Sequence, residues 1–193
     1  MRDRIAPYFD TLFKLTTEVE CSERDGASVA VANAYQRVCD LCHAAHERGN
    51  KIMFIGNGGS AGITGHMAVD FSKNGKMRAT AFNDGSMLTA LGNDYGYEFV
   101  FAKQIEWQGR AGDVLIAISS SGKSPNILKG VEAARAHGCD VVTFSGFGED
   151  NPLRQSGDVN FYVRSREYGF VEVAHQAIIH AILDLDMGWT PES

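Results

Sequence analysis

Apolar residues at the spacing of an α-helix fill the first fifty positions of the chain. They are Ile5, Phe9, Leu12, Phe13 and Leu15 in one stretch, and Val29, Val31, Ala34, Val38, Leu41 and Cys42 in the next. Polar residues at positions 22–26 separate the two stretches, and Gly49 with Asn50 ends the second. The pattern predicts two leading amphipathic helices, over residues 2–20 and 27–48.

From Lys51 onward, short continuous apolar runs alternate with helical patterns. The runs cover residues 52–55, 79–82, 114–118, 141–144 and 159–163, and the helical patterns cover 61–72, 87–91, 97–107, 126–137 and 171–187. Apolar runs of this length are typical of strands buried on both faces. The alternation predicts an α/β fold with a five-stranded parallel sheet in residues 51–193. Because no linker interrupts the chain, residues 1–193 are expected to form a single domain, with helices in 1–50.

The composition excludes several classes of protein. Hydrophobic residues make up 44% of the 193 residues, which is enough for a sizeable core and argues against disorder. The 24 acidic and 18 basic residues leave a net charge of −6, so the general basic surface of a nucleic-acid binder is missing. Any phosphate site must therefore be local.

The sequence carries no signal for export or for membrane insertion. The amino terminus contains acidic residues, and no segment reaches the roughly 20 apolar residues of a membrane span. The four cysteines, Cys21, Cys39, Cys42 and Cys139, do not suggest a disulfide framework in a chain of this size. We therefore expect a cytoplasmic protein with neither a membrane nor a nucleic acid as partner.

A glycine-rich turn follows the first predicted strand. Gly56-Asn57-Gly58-Gly59-Ser60 presents free backbone N–H groups at the positive end of a helix dipole, which suits an anion. The glycines alone also fit a simple tight turn. A third interpretation is a dinucleotide fingerprint through Gly56, Gly58 and Ala61, with Asp84 as the ribose ligand.

A serine-rich turn follows the third predicted strand and favours a sugar phosphate over a dinucleotide. Residues 119–124 read Ser-Ser-Ser-Gly-Lys-Ser, and Pro125 stands at the first helical position. Capping a helix needs one serine, whereas the hydroxyls of Ser119, Ser120, Ser121 and Ser124 suit the terminal oxygens of a phosphate monoester. Both turns are expected at the carboxyl edge of the sheet, where ligands of open α/β folds bind.

Two histidines and two carboxylates form a candidate metal site. His66 and Asp70 lie four positions apart on one predicted helix, and Glu172 and His180 lie on or just before the last, with His175 between them. This donor set suits a borderline metal such as zinc, although such residues are more often solvated. Glu172 and His180 would lie roughly 12 Å apart on an ideal helix. Either the helix begins after Glu172, or the site takes groups from two chains.

The segment Cys39-Asp40-Leu41-Cys42-His43 matches the pattern of haem attachment, and His46 makes a zinc knuckle conceivable. The segment lies inside a long amphipathic helical pattern rather than at the start of a helix after a strand. We interpret Cys42 and Leu41 as core side chains and the histidines as lying on wetter faces.

Taken together, four segments closely resemble the sugar isomerase (SIS) domain family. They are GNGGSAGITGHMAVDF (56–71), GNDYGYE (92–98), GDVLIAISSSGKSPNI (112–127) and VEVAHQAIIHAIL (171–183), and the similarity extends over nearly the whole chain. The resemblance implies a flavodoxin-like five-stranded parallel sheet, a homotetramer with sites at subunit contacts and a bound Zn²⁺ in each subunit. It also implies conversion of sedoheptulose 7-phosphate to D-glycero-D-manno-heptose 7-phosphate, an early step toward the heptoses of lipopolysaccharide or capsule.

The resemblance assigns roles to individual positions. The first substrate loop of the family matches Asn57, Gly58, Gly59 and Ser60, and the second loop matches Asn93 and Asp94. The phosphate cradle of the family matches Ser119, Ser120, Ser121 and Ser124. His66 and His180 match metal-binding histidines, and His180 also matches the catalytic acid. Asp70 stands where the family has a glutamate that acts as base, metal ligand and substrate contact. Glu172 stands where it has a glutamine that contacts metal and substrate.

The mechanism that the resemblance implies is isomerisation through an enediol. Asp70 would move a proton from C1 to C2, His180 would exchange the proton of the oxygens, and zinc held by His66, Asp70, Glu172 and His180 would polarise the carbonyl. Because a carboxylate bound to metal is a weaker base, the two roles of Asp70 compete. Two alternatives remain open: an isomerase of another long-chain ketose phosphate, or a non-catalytic SIS module that binds the replication initiator DnaA or senses sugar phosphates.

Overall fold

The computed structural model describes residues 2–191, in which seven strands form one sheet. The strands are β1 (Glu20–Ser22), β2 (Ser28–Val29), β3 (Ile52–Gly56), β4 (Ala79–Ala81), β5 (Val114–Ser119), β6 (Asp140–Ser145) and β7 (Val159–Tyr162). Their order across the sheet is β2-β1-β7-β6-β5-β3-β4. The strands from β3 to β7 run parallel, so the predicted α/β fold with a five-stranded parallel core is confirmed.

Helices cover both faces of the sheet. They are α1 (Ile5–Thr17), α2 (Val31–Glu47), α3 (Gly59–Lys73), α4 (Gly85–Tyr95), α5 (Val100–Gln108), α6 (Pro125–Ala136) and α7 (Tyr168–Asp186). Successive strand residues point to opposite faces, so Ile52 and Phe54 pack with α2, α3 and α7, while Met53 and Ile55 pack with α4, α5 and α6. Because each face has its own helical layer, the parallel strands are apolar at consecutive positions. None of the described helices is long and apolar enough to cross a membrane.

The two antiparallel strands at one end of the sheet correct the predicted leading helices. The helix expected over residues 2–20 is a short 3₁₀ turn (Arg2–Arg4) followed by α1, and the helix expected from residue 27 begins only at Val31. Between them, β1 pairs antiparallel with β7, and β2 pairs antiparallel with β1. The edge of β7 offers unpaired backbone groups, which β1 satisfies. Strands of three and two residues are too short to produce a readable alternation.

The C-x-x-C-H segment lies within α2 as part of the core. Cys39 and Cys42 are buried, and burial raises the pKa of both thiols, that of Cys39 to about 12. His43 is exposed on the same helix and lies 2.9 Å from Asp186 of α7. All four cysteines are buried free thiols, as the interpretation of Cys42 as a core side chain requires.

The strand register brings the two polar turns to one edge. Gly56 at the end of β3 is level with Ile118, and Ser119 at the end of β5 is level with Ser145 of β6. The turn into α3 and the turn into α6 therefore leave the same carboxyl edge of the sheet, as predicted.

Candidate active site

Glycines shape the turn from β3 into α3. A Cβ atom on Gly56 would lie 2.8 Å from the backbone carbon and oxygen of Ser60, so only glycine allows this approach. Gly58 has φ 53° and ψ −121°, a conformation that glycine adopts far more readily than other residues. As a result α3 begins directly after the strand, with Asn57 and Ser60 at its amino-terminal end.

The serine-rich turn, residues 119–124, places several hydroxyls at the start of α6. The hydroxyl oxygens of Ser119 and Ser124 lie 3.3 Å apart, and Ser121 Oγ accepts a 3.3 Å bond from the Lys123 N–H. Ser124 is the N-cap residue of α6, but its hydroxyl makes no cap bond within the described chain. Ser120 Oγ is buried without a hydrogen-bond partner among the described residues. These hydroxyls are available to a ligand.

Both turns and the start of α7 line one pocket, called here the serine pocket. Its volume is about 120 Å³, and its lining consists of Asn57, Ser60, Ile118, Ser119, Ser120, Ser121, Ser124, Tyr168 and Glu172. Three helix starts, those of α3, α6 and α7, and four serine hydroxyls surround this volume, so it can hold a phosphate group. A sugar chain attached to that phosphate must extend beyond the pocket.

Three of the four predicted metal ligands come together between α3 and α7. His66 Nε2 lies 3.2 Å from Asp70 Oδ2, and His180 Nδ1 lies 3.7 Å from the same oxygen. One ligand atom of each residue lies within 4.8 Å of the others, and the two imidazole centroids are 5.2 Å apart. Two imidazole nitrogens and one carboxylate oxygen at this spacing form a possible metal site.

Glu172 lies outside this three-residue group. Helix α7 begins at Tyr168, so the alternative that the helix begins after Glu172 is wrong. The carboxyl group packs against Gly59 at the start of α3, where a Cβ atom would overlap it. Within the described chain, Glu172 belongs to the serine pocket, and its role as a fourth metal ligand stays a prediction.

The second predicted substrate loop is placed at the carboxyl end of α4. Asn93 and Asp94 are exposed, and Asn93 Nδ2 donates to Asp94 Oδ1 at 2.8 Å. Neither residue lines the serine pocket. The 3₁₀ turn that follows (Tyr97–Phe99) does approach the site, because the Tyr97 hydroxyl lies 3.4 Å from Asn57 Oδ1.

Sequence reasoning missed the residue that orients Asn57. This residue is Asn126, whose side-chain amide forms two hydrogen bonds with the side-chain amide of Asn57, at 2.8 and 2.9 Å. Asn126 lies in the first turn of α6 and is 2% exposed. The signal that could have found it is the polar side chain of Asn126 at a position that proves to be buried. Its partner Asn57, however, is 69 positions away in the chain, so no local spacing links the two residues.

His175 is fully buried between α7 and the end of β6. Its Nε2 lies 3.1 Å from the carbonyl oxygen of Ser145, and burial lowers its pKa to about 4. The ring is therefore neutral and donates from Nε2, which leaves Nδ1 buried without a partner among the described residues. The sequence alone indicates that His175 lies near the last helix but gives it no role.

Asp84 does not support the dinucleotide interpretation. It is the N-cap residue of α4, and its side chain accepts a hydrogen bond from the Met87 N–H at 2.9 Å. A carboxylate at an N-cap is explained by the free N–H groups of the helix start.

The chain is similar in sequence and in fold to proteins of one family. The SIS domain family matches residues 24–146. Phosphoheptose isomerase of Akkermansia muciniphila is 37% identical over 165 residues, which cover 82% of this chain and 87% of that protein. Phosphoheptose isomerase of Klebsiella pneumoniae is 36% identical over 79% of this chain and 82% of its own length. The structure of phosphoheptose isomerase from Neisseria gonorrhoeae matches with a TM-score of 0.81 at 30% identity, over 96% of this chain and 97% of that one.

Proposed function

Since the chain belongs to the SIS domain family, and within it to the phosphoheptose isomerases, we propose that it converts sedoheptulose 7-phosphate to D-glycero-D-manno-heptose 7-phosphate through an enediol. The observation that carries this proposal is the meeting of His66, Asp70 and His180 on α3 and α7, two of the three helices whose amino-terminal ends line the serine pocket. Ser60 and His66 are six positions apart on α3, or about 9 Å along the helix. An extended seven-carbon chain can span this distance with its phosphate in the pocket.

The residues present fit a divalent metal. Two imidazoles and one carboxylate are the three protein ligands of many catalytic zinc sites, and this number leaves a position open for substrate. We therefore assign zinc to His66, Asp70 and His180, with Glu172 as a ligand only if its side chain turns away from Gly59. When bound, zinc supplies Lewis acidity to the carbonyl oxygen of the ketose.

Asp70 is the base that carries a proton from C1 to C2. Its Oδ2 faces both imidazoles, whereas its Oδ1 accepts one long bond, at 3.4 Å, from Asn74 Nδ2. A carboxylate that uses one oxygen toward the histidines can receive a proton on the other. The two oxygens thereby separate the roles of metal ligand and base that compete within one group.

His180 exchanges the proton between the two substrate oxygens. Its Nδ1 faces Asp70, and a third of its side chain is exposed, so the ring is open to a ligand in the cleft. Proton transfer at oxygen and at carbon is thus divided between two side chains 3.7 Å apart.

The serine pocket holds the phosphate without a lysine or arginine. The hydroxyls of Ser119, Ser120, Ser121 and Ser124, with the N–H groups at the starts of α3 and α6, provide neutral donors. Asn57 and Ser60 provide contacts from the glycine-rich turn. Asn93 and Asp94 contact the sugar if the end of α4 moves toward the site or a neighbouring subunit supplies them.

The working form is a homotetramer with sites at subunit contacts. Every residue of α1 keeps part of its surface exposed, and Ile5, Phe9 and Phe13 are 54%, 62% and 70% exposed. Apolar surface of this extent on a helix supports burial against another chain. The reaction belongs to the cytoplasm, which the four free cysteines support, and its product serves lipopolysaccharide or capsule.

An assay of the purified, zinc-loaded protein on ketose phosphates of five to eight carbons tests the function. Deuterium exchange at C1 and aldose formation are both followed by NMR. We expect turnover on sedoheptulose 7-phosphate, its loss in Asp70→Asn, and its retention in Asp184→Asn, an exposed acid on α7. Preference for another ketose phosphate would establish the alternative isomerase, and exchange on none of them would establish a non-catalytic binding module.

A further inference from the structure

A second layer of residues lies behind the serine-rich turn. This support segment, residues 145–154, runs from the end of β6 into the 3₁₀ helix Pro152–Gln155. The N–H of Gly146 donates to the carbonyl oxygen of Ser120 at 3.0 Å, and the N–H of Leu153 donates to that of Gly122 at 3.2 Å. Both neighbours of Ser121 are therefore held by the support segment, and its conformation determines where the serine hydroxyls lie.

The side chain of Asn151 holds the support segment in shape. Asn151 is 2% exposed, and its Nδ2 donates to the carbonyl oxygens of Gly148 at 2.7 Å and Gly146 at 3.1 Å. Its Oδ1 accepts from the Arg154 N–H at 3.0 Å and so caps the 3₁₀ helix. A flipped amide would set the side-chain oxygen against two carbonyl oxygens, so this network permits one orientation.

Asn151 also packs directly on the serine-rich turn. Gly122 adopts a left-handed conformation with φ 62°, and a Cβ atom at this position would overlap Oδ1 and Cγ of Asn151. The amide therefore occupies the space that a larger residue at position 122 would need. Asn151 itself does not line the serine pocket.

We propose that Asn151 is a positioning residue for the phosphate site, acting through Gly146 and Gly122 without touching the substrate. The proposal rests on the proposed function only in taking the serine pocket as the place where phosphate binds. Serine side chains are short and cannot adjust their reach. A small displacement of the serine-rich turn therefore weakens several hydrogen bonds to the phosphate at once.

Two substitutions isolate the donor atom of Asn151. Asn151→Ser and Asn151→Asp both keep an oxygen that can cap the 3₁₀ helix, but both lose the Nδ2 bridge. Asn160 provides the matched control: it is 1% exposed, and its Nδ2 donates to the carbonyl oxygens of Gly157 and Ser22, which lie outside the pocket lining. Asn160→Ser and Asn160→Asp report the loss of a similar buried amide elsewhere.

Binding of inorganic phosphate, measured by calorimetry on the full-length protein, is the primary measurement. For both Asn151 variants we expect the phosphate Kd and the KM for sedoheptulose 7-phosphate to rise together by about tenfold, with kcat within about twofold of the parent. The Asn160 variants are expected to leave both constants unchanged even where they lower thermal stability. An equal rise in both pairs of variants, or a fall in kcat alone, would overturn the proposal.

The test of Asn151 and the test of the proposed function can fail independently. If the parent protein binds phosphate but isomerises none of the ketose phosphates, the function fails while the Kd comparison still decides the role of Asn151. If the parent does not bind phosphate, Asn151 positions no phosphate site and the proposal is wrong. Should Asn151→Asp fail to fold, Asn151→Ser, which introduces no charge, decides alone.

Discussion

The carboxylate of Glu172 lies at the start of α3, where free N–H groups and the helix dipole favour a negative charge. The same pocket presents serine hydroxyls suited to phosphate, so a bound phosphate must share the pocket with this acid. Like charges in a partly desolvated pocket repel each other. Glu172 therefore weakens phosphate binding unless it turns away when the substrate enters.

Replacing Glu172 tests whether it belongs to the pocket or to the metal group. Glu172→Gln keeps the shape of the side chain and removes its charge, so we expect a KM for the sugar phosphate lower by about three- to tenfold. The zinc content should stay unchanged, because three ligands remain in place. Glu167→Gln, an exposed acid just before α7, serves as control. Glutamine retains a donor oxygen, so the metal role is tested with Glu172→Ala: loss of zinc from this variant would instead establish Glu172 as a metal ligand.

The serine hydroxyls are tested by removing two of them. We expect Ser121→Ala with Ser124→Ala to raise KM about tenfold or more, because each lost hydroxyl leaves a phosphate oxygen without a donor. Zinc content should be unaffected, since the proposed metal ligands lie further along α3 and α7. Ser72→Ala, on the exposed face of α3, controls for a general effect of losing a hydroxyl. An unchanged KM would show that phosphate binds elsewhere.

At the scale of elements, the site depends on how α7 docks on the sheet. His175 bonds to the carbonyl oxygen of Ser145 at the end of β6, and the same oxygen accepts the N–H of Val163. The next backbone N–H, that of Gly146, then holds Ser120. One helix thereby carries His180, closes the serine pocket with Glu172 and braces the strand behind the serine-rich turn.

The burial of His175 predicts how stability depends on pH. Its pKa is lowered to about 4 in the folded protein, while the unfolded chain takes up a proton near pH 6.5, so acid favours unfolding. The stabilising contribution is present above pH 6.5 and is lost as the pH falls toward 4. Between pH 7 and pH 5 the free energy of unfolding should fall by about 2 kcal/mol from this group.

Urea denaturation at both pH values measures this dependence. His175→Gln removes the titrating group, so its loss of stability between pH 7 and pH 5 should be about 2 kcal/mol smaller than that of the parent. The proposed metal ligands His66 and His180 are present in both proteins, so they do not affect the comparison. His46→Gln, at an exposed position on α2, should behave like the parent. Identical pH dependence in His175→Gln and the parent would contradict the assignment.

At the scale of the whole molecule, the proposed tetramer is expected to assemble through the exposed face of α1. Light scattering should show a tetramer for the parent, and Phe9→Asp with Phe13→Asp should give a smaller species, because two charges oppose burial of that face. If the sites lie at subunit contacts, isomerase activity falls with the mass. Trp107→Asp, at a side chain 57% exposed on α5, is the control for adding charge at an exposed aromatic residue. A monomeric parent at micromolar concentration would contradict the proposal that the active sites lie at subunit contacts.

The sequence by itself determined the parallel core and the position of both polar turns. Apolar runs such as residues 52–55 and 114–118 report burial on both faces, and this signal is local to each strand. The turns at 56–60 and 119–124 follow from glycine and serine chemistry over a few residues. Because parallel strands end at a common edge, their meeting could be predicted without coordinates.

The tertiary structure alone decided which side chains meet. Glu172 and His180 share a helix, yet the packing of α7 on α3 directs one to Gly59 and the other to His66 and Asp70. The short strands β1 and β2 exist because β7 has an edge to pair, not because their residues show a pattern. Contacts such as Asn57 with Asn126 join positions far apart in the chain, and they depend on helix docking and strand register rather than on any local spacing.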